Sequence, residues 1–346
     1  MCLANTVQFD IIKNNLKQTS YIINHTLTAL RRGWLITAIT FSAIFCAELG
    51  AQQKFPKTIN ISYIETPFNL QIMVMKERRM LESAFAELGI NIRWHVFNTG
   101  AEQAQAMAAG SLDIASVINS TSVILANAAG NRVEIAALVS RPRQLFALQA
   151  QAGGPGSIRE LRGKTIAGPM GSVLHQMLLA ALDREGMKST DVKFIHMGLP
   201  QARTALLSKR VDAALQAGNL IIINEEAGMR TICTAEGYLT PLLFTAVRPA
   251  FAKNYGELLE IYLRTQKEAY DWITLHTGEA VALGSRLQKI KPGNGMKLFG
   301  WSGIAKTMED GDIIALSEDV DFLFGQKMIR QKINPRQFIL PQAFGK

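Results

Sequence analysis

Two segments of the chain repeat one pattern of polar and apolar residues, and this repeat constrains the fold more than any other sequence feature. Residues 101–115 read AEQAQAMAAGSLDIA, and residues 200–214 read PQARTALLSKRVDAA. When Asp113 is aligned with Asp212, each segment predicts a polar helix, a short turn and an apolar strand. The second copy lies about one small domain downstream of the first. We therefore predict two lobes built from similar α/β units, with a ligand-binding cleft between them.

The composition is that of a globular protein. The chain has 346 residues, of which 48% are hydrophobic and 19% are charged, and this length permits two domains with large cores. The net charge is +9, but the basic residues are scattered and form no stripe interleaved with aromatic residues, so we expect no nucleic-acid partner. Only Cys233 of the three cysteines would remain after export, which excludes a disulfide framework in the mature chain.

The N-terminal region has the pattern of an export signal. Two arginines precede an apolar run from Leu35 to Ala47, and the run ends at Glu48-Leu49-Gly50-Ala51. A positive flank, a short apolar core and a small residue are typical of a secretory signal peptide. The apolar core is shorter than the length that a membrane-spanning helix needs. We expect residues 1–51 to be a leader that is cleaved after Ala51, and the mature protein to be periplasmic. Lipidation at Cys46 and an uncleaved anchor are the alternatives.

Strands and helices are predicted to alternate through most of the mature chain, and the C-terminal part is predicted to be mainly helical. One predicted helix runs from about Leu70 to Leu88 and ends at Gly89. Regular alternation predicts βαβ units and a largely parallel sheet. Crossovers near 141–148 and 240–248 make the first lobe discontinuous. The predicted parts are a leader (1–51), the first part of lobe 1 (55–143), lobe 2 (144–244) and the return to lobe 1 (245–346).

Three predicted strand-to-helix junctions have residues suited to an anion-binding site. They are Thr99-Gly100, Asn119-Ser120-Thr121 and Met170-Gly171-Ser172. Free N–H groups and the helix dipole attract anions to a helix start, and in open α/β sheets such junctions lie where ligands bind. Ordinary N-capping is the alternative at any single junction. The occurrence of several such junctions in both predicted lobes favours a shared site.

Signals for catalysis are weak. The histidines lack the spacing of a metal site, and no His-Glu-x-x-His motif is present. We therefore predict no catalytic residue, no metal and no cofactor. His175, near the start of a predicted cleft-facing helix, is the one histidine that could serve chemistry. Glu65 follows the first strand and could meet an amine of a ligand, although a solvent-exposed loop acid is the simpler interpretation. Asp113 and Asp212 are predicted to fix turns.

Four segments give the chain a resemblance to a known family. They are TINISYIETPFN at 58–69, FNTGAEQAQAMAAGSLDIASVINSTS at 97–122, SIRELRGKTIAGPMGSVLHQMLLAAL at 157–182 and LLSKRVDAALQAG at 206–218. In this order they resemble the periplasmic solute-binding proteins of ABC importers for nitrate, sulfonates and taurine. The thiamine-pyrimidine precursor proteins share the fold of that family, but the cysteine-rich motif of its fungal pyrimidine-forming members is absent here.

The resemblance implies the type II periplasmic-binding-protein fold, in which two α/β lobes with mixed sheets are joined by a two-strand hinge around a central ligand cleft. It implies a monomeric, non-enzymatic component of an ABC transporter. Such a protein captures a small anionic or zwitterionic organic solute, similar to a sulfonate, taurine or nitrate, and delivers it to the permease subunits in the membrane. The first loop departs from the family's usual pattern. Carried onto matching positions, the resemblance implies ligand contacts at Thr66, Pro67, Phe68, Asn69, Thr99, Gly100, Asn119, Ser120, Thr121, Met170, Gly171, Ser172, Val173 and Gln216.

Three alternatives share this architecture. A secreted sensor or enzyme is one, and turnover of a ligand would distinguish it. The effector domain of a transcription regulator is another, but the signal peptide and the lack of a helix-turn-helix count against it. The third is a binding protein that serves a tripartite importer or a membrane receptor.

Overall fold

The structure is a computed structural model that describes residues 55–64 and 66–345. The predicted leader, its cleavage site, Cys46 and Glu65 lie outside the described residues. No helix within the described ranges is long and apolar enough to cross a membrane. The strands are β1 (Thr58–Tyr63), β2 (Asn91–Val96), β3 (Ile114–Asn119), β4 (Glu134–Ser140), β5 (Phe146–Ala150), β6 (Thr165–Gly168), β7 (Lys193–His196), β8 (Ala213–Ala217), β9 (Arg230–Thr234) and β10 (Leu243–Val247).

Helices follow most of the strands and form the C-terminal part of the chain. They are α1 (Leu70–Glu77), α2 (Met80–Phe85), α3 (Gly100–Ala108), α4 (Ser120–Ala128), α5 (Val173–Arg184), α6 (Leu199–Leu207), α7 (Asn219–Glu226), α8 (Pro249–Asn254), α9 (Gly256–Leu275), α10 (Thr277–Leu287), α11 (Pro292–Ser302) and α12 (Asp310–Gly325).

The strands form two five-stranded sheets of matching design, ordered β2-β1-β3-β10-β4 and β7-β6-β8-β5-β9. In the first sheet β1 is parallel to β2 and β3, while β10 is antiparallel to β3 and β4. In the second sheet β6 is parallel to β7 and β8, while β5 is antiparallel to β8 and β9. Four strands of each sheet therefore run in one direction, as expected of a largely parallel sheet, and only β10 and β5 run against them. These two strands each enter their sheet directly from the other sheet, without the crossover helix that parallel neighbours need.

The two repeated segments adopt the same local structure. The backbone N–H of Asn60 on β1 donates to Asp113 Oδ2 at 2.9 Å. In the second copy, the N–H of Thr165 on β6 donates to Asp212 Oδ2 at 2.8 Å. Both preceding helices also end near a residue with positive φ, glycine in one copy and lysine in the other. Each aspartate lies in the turn before its strand, as predicted, and also bonds to the neighbouring parallel strand.

The helix predicted from Leu70 to Leu88 is interrupted. Its first part ends at Glu77, and Arg79 has a left-handed φ of 52° before α2 begins. The apolar positions continue across the break, because two residues of α2 are fully buried. Apolar periodicity therefore could not reveal the kink. The predicted stop at Gly89 is confirmed by its φ of 63°.

The C-terminal helix α12 packs on the first sheet and holds the first crossing between the sheets. Its buried apolar residues belong to one cluster with residues of β3, β4, β10 and α4. The chain crosses between β4 and β5, and it returns between β9 and β10. In the first crossing, Arg141 donates from Nε and from a terminal nitrogen to the two carboxylate oxygens of Asp312, each at 2.7 Å. This bidentate pair fixes the crossing segment to α12.

Candidate functional site

A cavity of about 70 Å³ lies where four helices begin. Gly100 of α3 and Asn119, which precedes α4, line it from the first sheet. Val173 of α5 and Leu199 of α6 line it from the second sheet. Each of these helices follows a strand, so the cavity lies at the carboxyl ends of strands from both sheets. This is the position at which open α/β sheets bind ligands.

The helix starts combine ordinary capping with available N–H groups. The side chains of Thr99, Asn119 and Ser172 each accept the N–H of the third residue along, at distances between 2.9 and 3.4 Å. A cap satisfies one N–H of the first turn, and the N–H groups of the first two helical residues have no acceptor within the helix. In α4 the first of these, at Ser120, bonds to the carbonyl of Leu242 at 3.0 Å. The starts of α3 and α5 therefore offer the most N–H groups to the cavity.

Gln103, one turn into α3, places a buried acceptor on the cavity wall. It is fully buried, and its Nε2 donates to the carbonyl of Val117 at 3.0 Å. Its Oε1 has no hydrogen-bond partner in the described residues. Both residues line the cavity. An unpaired buried acceptor costs about 1–3 kcal/mol, and a solute donor that reached this oxygen would recover that cost.

The predicted contacts divide into two groups. One group lines the cavity: Thr66, Pro67, Asn69, Thr99, Gly100, Asn119, Ser172 and Val173. The other group does not: Phe68, Ser120, Thr121, Met170, Gly171 and Gln216.

The second group has other surroundings. Ser120 and Thr121 direct their hydroxyls to buried partners away from the lining. Phe68 packs so closely on Gly284 that a Cβ there would lie 2.6 Å from the Phe68 ring. Met170 is half exposed, and Gln216 is buried without a partner for either amide atom in the described part of the chain. Direct contact of these residues with a ligand stays a prediction.

Sequence patterns missed several wall residues. The signal for Leu199 was present, because it is the counterpart of Gly100 in the repeat. The sequence also carries a signal for Gln103. The matching position in the second copy is the apolar Ala202, which predicts a buried position, and a glutamine at a buried helix position is unusual. The remaining wall residues carry no such signal: Ile64, Asn98, Val117, Ile118, Phe146, Pro169, Leu174, Ala217 and Leu243.

The wall that the structure describes carries no charged side chain. His175 does not line the cavity; its ring lies 4.6 Å from that of Phe194. Burial, and secondarily the charge of nearby His196, lower the pKa of His175 to about 4, so it is neutral at pH 7. No group of three or more His, Cys, Asp or Glu residues within the described ranges could hold a metal ion. An anion in this cavity would therefore depend on N–H groups and helix dipoles.

Solved structures support the fold. The alkanesulfonate-binding protein SsuA from Xanthomonas axonopodis pv. citri, bound to MOPS, superposes with a TM-score of 0.74 at 18% identity, covering 82% of this chain and 98% of that one. The periplasmic aliphatic sulphonate binding protein SsuA from Escherichia coli gives a TM-score of 0.68 at 20% identity, covering 83% and 92%. These likenesses confirm the predicted periplasmic-binding fold with mixed sheets.

Sequence relatives are also named as solute-binding proteins. A Bacillus subtilis (strain 168) protein, named for binding aliphatic sulfonates, is 28% identical over 326 residues, which are 90% of this chain and 95% of that protein. The taurine-binding periplasmic protein of Escherichia coli (strain K12) is 25% identical over 208 residues, 54% of this chain and 59% of that protein. The sequence model of the NMT1/THI5-like family matches residues 85–280. This match spans more than half of the chain, and the protein belongs to the NMT1/THI5-like family.

Proposed function

We propose that this chain is the solute-binding component of an ABC importer, and that it captures a small organic solute with both an acid group and a hydrogen-bond donor. The observation that carries the proposal is the convergence of four helix starts from two sheets on one cavity. Its relatives are named for binding aliphatic sulfonates and taurine, and this supports the same class of solute here.

The acid group would bind at the helix starts. Each helix start carries about half a positive charge, and its first N–H groups lack acceptors. Gly100 brings such an N–H to the cavity wall and has no side chain that would block it. Val173 and Leu174 line the cavity from the helix that follows the second sheet. A negative ligand held between them needs no cationic side chain.

The donor of the solute would bond to Gln103 Oε1, which is buried and unpaired in the described residues. An ammonium group is one such donor, because it donates strong charge-assisted hydrogen bonds to an amide oxygen. An aminosulfonate such as taurine has both groups. The cavity volume is about 70 Å³, which favours a short aliphatic solute over an aromatic one.

Binding would close the protein around the solute. In this proposal lobe 1 comprises 55–143 and 245–346, lobe 2 comprises 144–244, and the solute bridges them. Hinged closure is the known motion of periplasmic binding proteins, and a ligand that contacts both lobes favours the closed form by its differential affinity. The leader at 1–51 would direct export to the periplasm, where the closed monomer would deliver its solute to the permease.

Thermal denaturation with taurine, ethanesulfonate, nitrate and acetate tests the function. We expect taurine to raise the Tm; at a hundredfold excess over its Kd it adds about 2.7 kcal/mol to stability. The Gln103→Leu variant should bind taurine about tenfold more weakly and lose the preference for taurine over ethanesulfonate, because one buried charged hydrogen bond is removed. Gln105→Leu, on the exposed side of the same helix, is the matched control. Chemical turnover of these solutes, or no shift with any of them, contradicts the proposal.

A further inference from the structure

Asp319, on α12, bonds to two helices that begin at the cavity. Its Oδ2 accepts the Ser120 hydroxyl at 2.9 Å, and its Oδ1 accepts Nε2 of Gln176. Oε1 of Gln176 in turn accepts the Thr121 hydroxyl at 2.5 Å. All four side chains are buried. We call these residues the Asp319 network.

The Asp319 network joins the two sheets directly behind the cavity. Ser120 and Thr121 are the first two residues of α4, which follows the first sheet, and Gln176 lies one turn into α5, which follows the second sheet. Asn119, which precedes α4, and Val173, the first residue of α5, line the cavity. One carboxylate therefore fixes the start of α4 relative to the start of α5.

The carboxylate has no cationic partner in the network. Residues of α4 are all non-ionisable, and the bonded partner on α5 is a neutral amide. Glu318, the preceding residue on α12, adds a like charge. Arg336, in the 3-10 turn Pro335–Phe338 that follows α12, lines a surface groove together with Glu318. Burial, the largest cause, raises the pKa of Asp319 to about 6, although the bonds from Ser120 and Gln176 oppose this rise.

We propose that Asp319 is a positioning residue for the anion site and that its charge opposes a bound anion, so that capture of an acid by the cavity takes up a proton at Asp319. This inference rests on the proposed function. A protonated carboxyl keeps the geometry, because its O–H can donate to the Ser120 hydroxyl while the other oxygen still accepts from Gln176. Protonation therefore removes the charge and leaves the two helix starts in place.

The sign of the pH dependence follows from the like charges. An anion in the cavity raises the pKa of Asp319 further, because it disfavours the charged carboxylate. By linkage, the anion binds more tightly when Asp319 is protonated, so affinity rises as pH falls from the higher pKa of the bound form to about 6, and is constant below that pH. Each further unit of rise in this pKa corresponds to a tenfold gain in affinity. The pKa of His175 is about 4, so His175 stays neutral above about pH 5.

Isothermal titration with ethanesulfonate and taurine between about pH 5 and pH 8 tests the inference, because neither solute titrates in that range. We expect wild-type affinity to be about tenfold higher at the acidic end. In buffers of different ionisation enthalpy, the apparent binding enthalpy should show proton uptake near pH 7. Asp319→Asn, which keeps the shape and both bonding positions without the charge, should bind tightly at every pH and take up no proton.

Two further variants separate geometry from charge. Asp319→Ala should weaken binding at every pH, because it releases both helix starts. Asp321→Asn, at an exposed carboxylate on the same helix, should keep the wild-type pH profile. The inference is overturned if wild type and Asp319→Asn have the same pH profile and the same proton uptake. If Asp319→Asn does not fold, the inference is overturned if the wild type takes up no proton on binding. Binding without pH dependence leaves the proposed function standing, whereas no binding of either solute contradicts both.

Discussion

Gln216 and Gln103 are fully buried glutamines that lack hydrogen-bond partners in the described residues, Gln216 for both amide atoms and Gln103 for its oxygen. Leaving a buried polar atom unpaired costs about 1–3 kcal/mol. Folding alone does not favour such a residue over an apolar one of the same size. Gln103, which lines the cavity, is therefore a position at which stability and the proposed ligand recognition conflict, and Gln216 lies buried outside the lining.

Gln216→Met is expected to stabilise the ligand-free protein by about 1–2 kcal/mol, because a side chain of similar length replaces two unpaired polar atoms. Urea denaturation followed by circular dichroism measures the change. Gln201→Met, at an exposed position on α6, should alter stability by less than about 0.5 kcal/mol and is the control. A loss of stability in Gln216→Met would show that the amide has a partner, such as a buried water, in the ligand-free protein.

At the scale of elements, α12 supports both the crossing between the sheets and the helix starts behind the cavity. Its Asp312 holds Arg141 of the first crossing, and its Asp319 holds α4 and α5. The two aspartates are seven positions apart and share the buried face of the helix. A C-terminal helix that is remote in sequence from the cavity thus fixes the elements around it.

Arg141→Ala is expected to destabilise the protein by about 1–3 kcal/mol, because it leaves the carboxylate of Asp312 buried without its bidentate partner. The estimate is below that of a fully buried pair because the arginine side chain is 31% exposed. Lys332→Ala breaks an exposed pair with Asp321 and should cost less than about 1 kcal/mol. Urea denaturation of both variants tests this, and equal losses would contradict the anchoring role of Arg141.

The sequence could predict local elements but not the long-range bonds that complete the site. The repeat predicted both copies of helix, turn and strand, because each copy carries its own pattern and its own aspartate. The kink at Arg79 was missed because apolar periodicity continues across it. Asp319 was missed because its bond to Ser120 joins positions 199 residues apart, and no local pattern reports which helix packs behind another. The Gln103 oxygen lacks a partner in the described residues because of how its amide packs in the folded protein. The sequence alone does not specify that packing.

At the scale of the whole molecule, the two sheets approach each other at Gly218 and Pro67. Gly218 follows β8 of the second sheet and has a φ of 57°. A Cβ at this glycine would lie 3.0 Å from the Pro67 Cα, in the loop after β1 of the first sheet. This distance is tight for a Cβ contact. A side chain at 218 would therefore push the two sheets apart at the edge of the cavity that Pro67 lines.

Gly218→Ala is expected to weaken solute binding several-fold, because the added methyl group opposes the arrangement in which both sheets contact the solute. The backbone of Gly218, at φ 57° and ψ −129°, also disfavours a side chain in any arrangement. Gly228→Ala separates the two effects: its φ is 82°, yet nothing lies within 4 Å of its Cβ position. Both variants should lose stability, and only Gly218→Ala should lose affinity and show a larger radius of gyration in X-ray scattering with taurine present. Equal affinities in the two variants would mean that the sheets do not need this close approach to hold the solute.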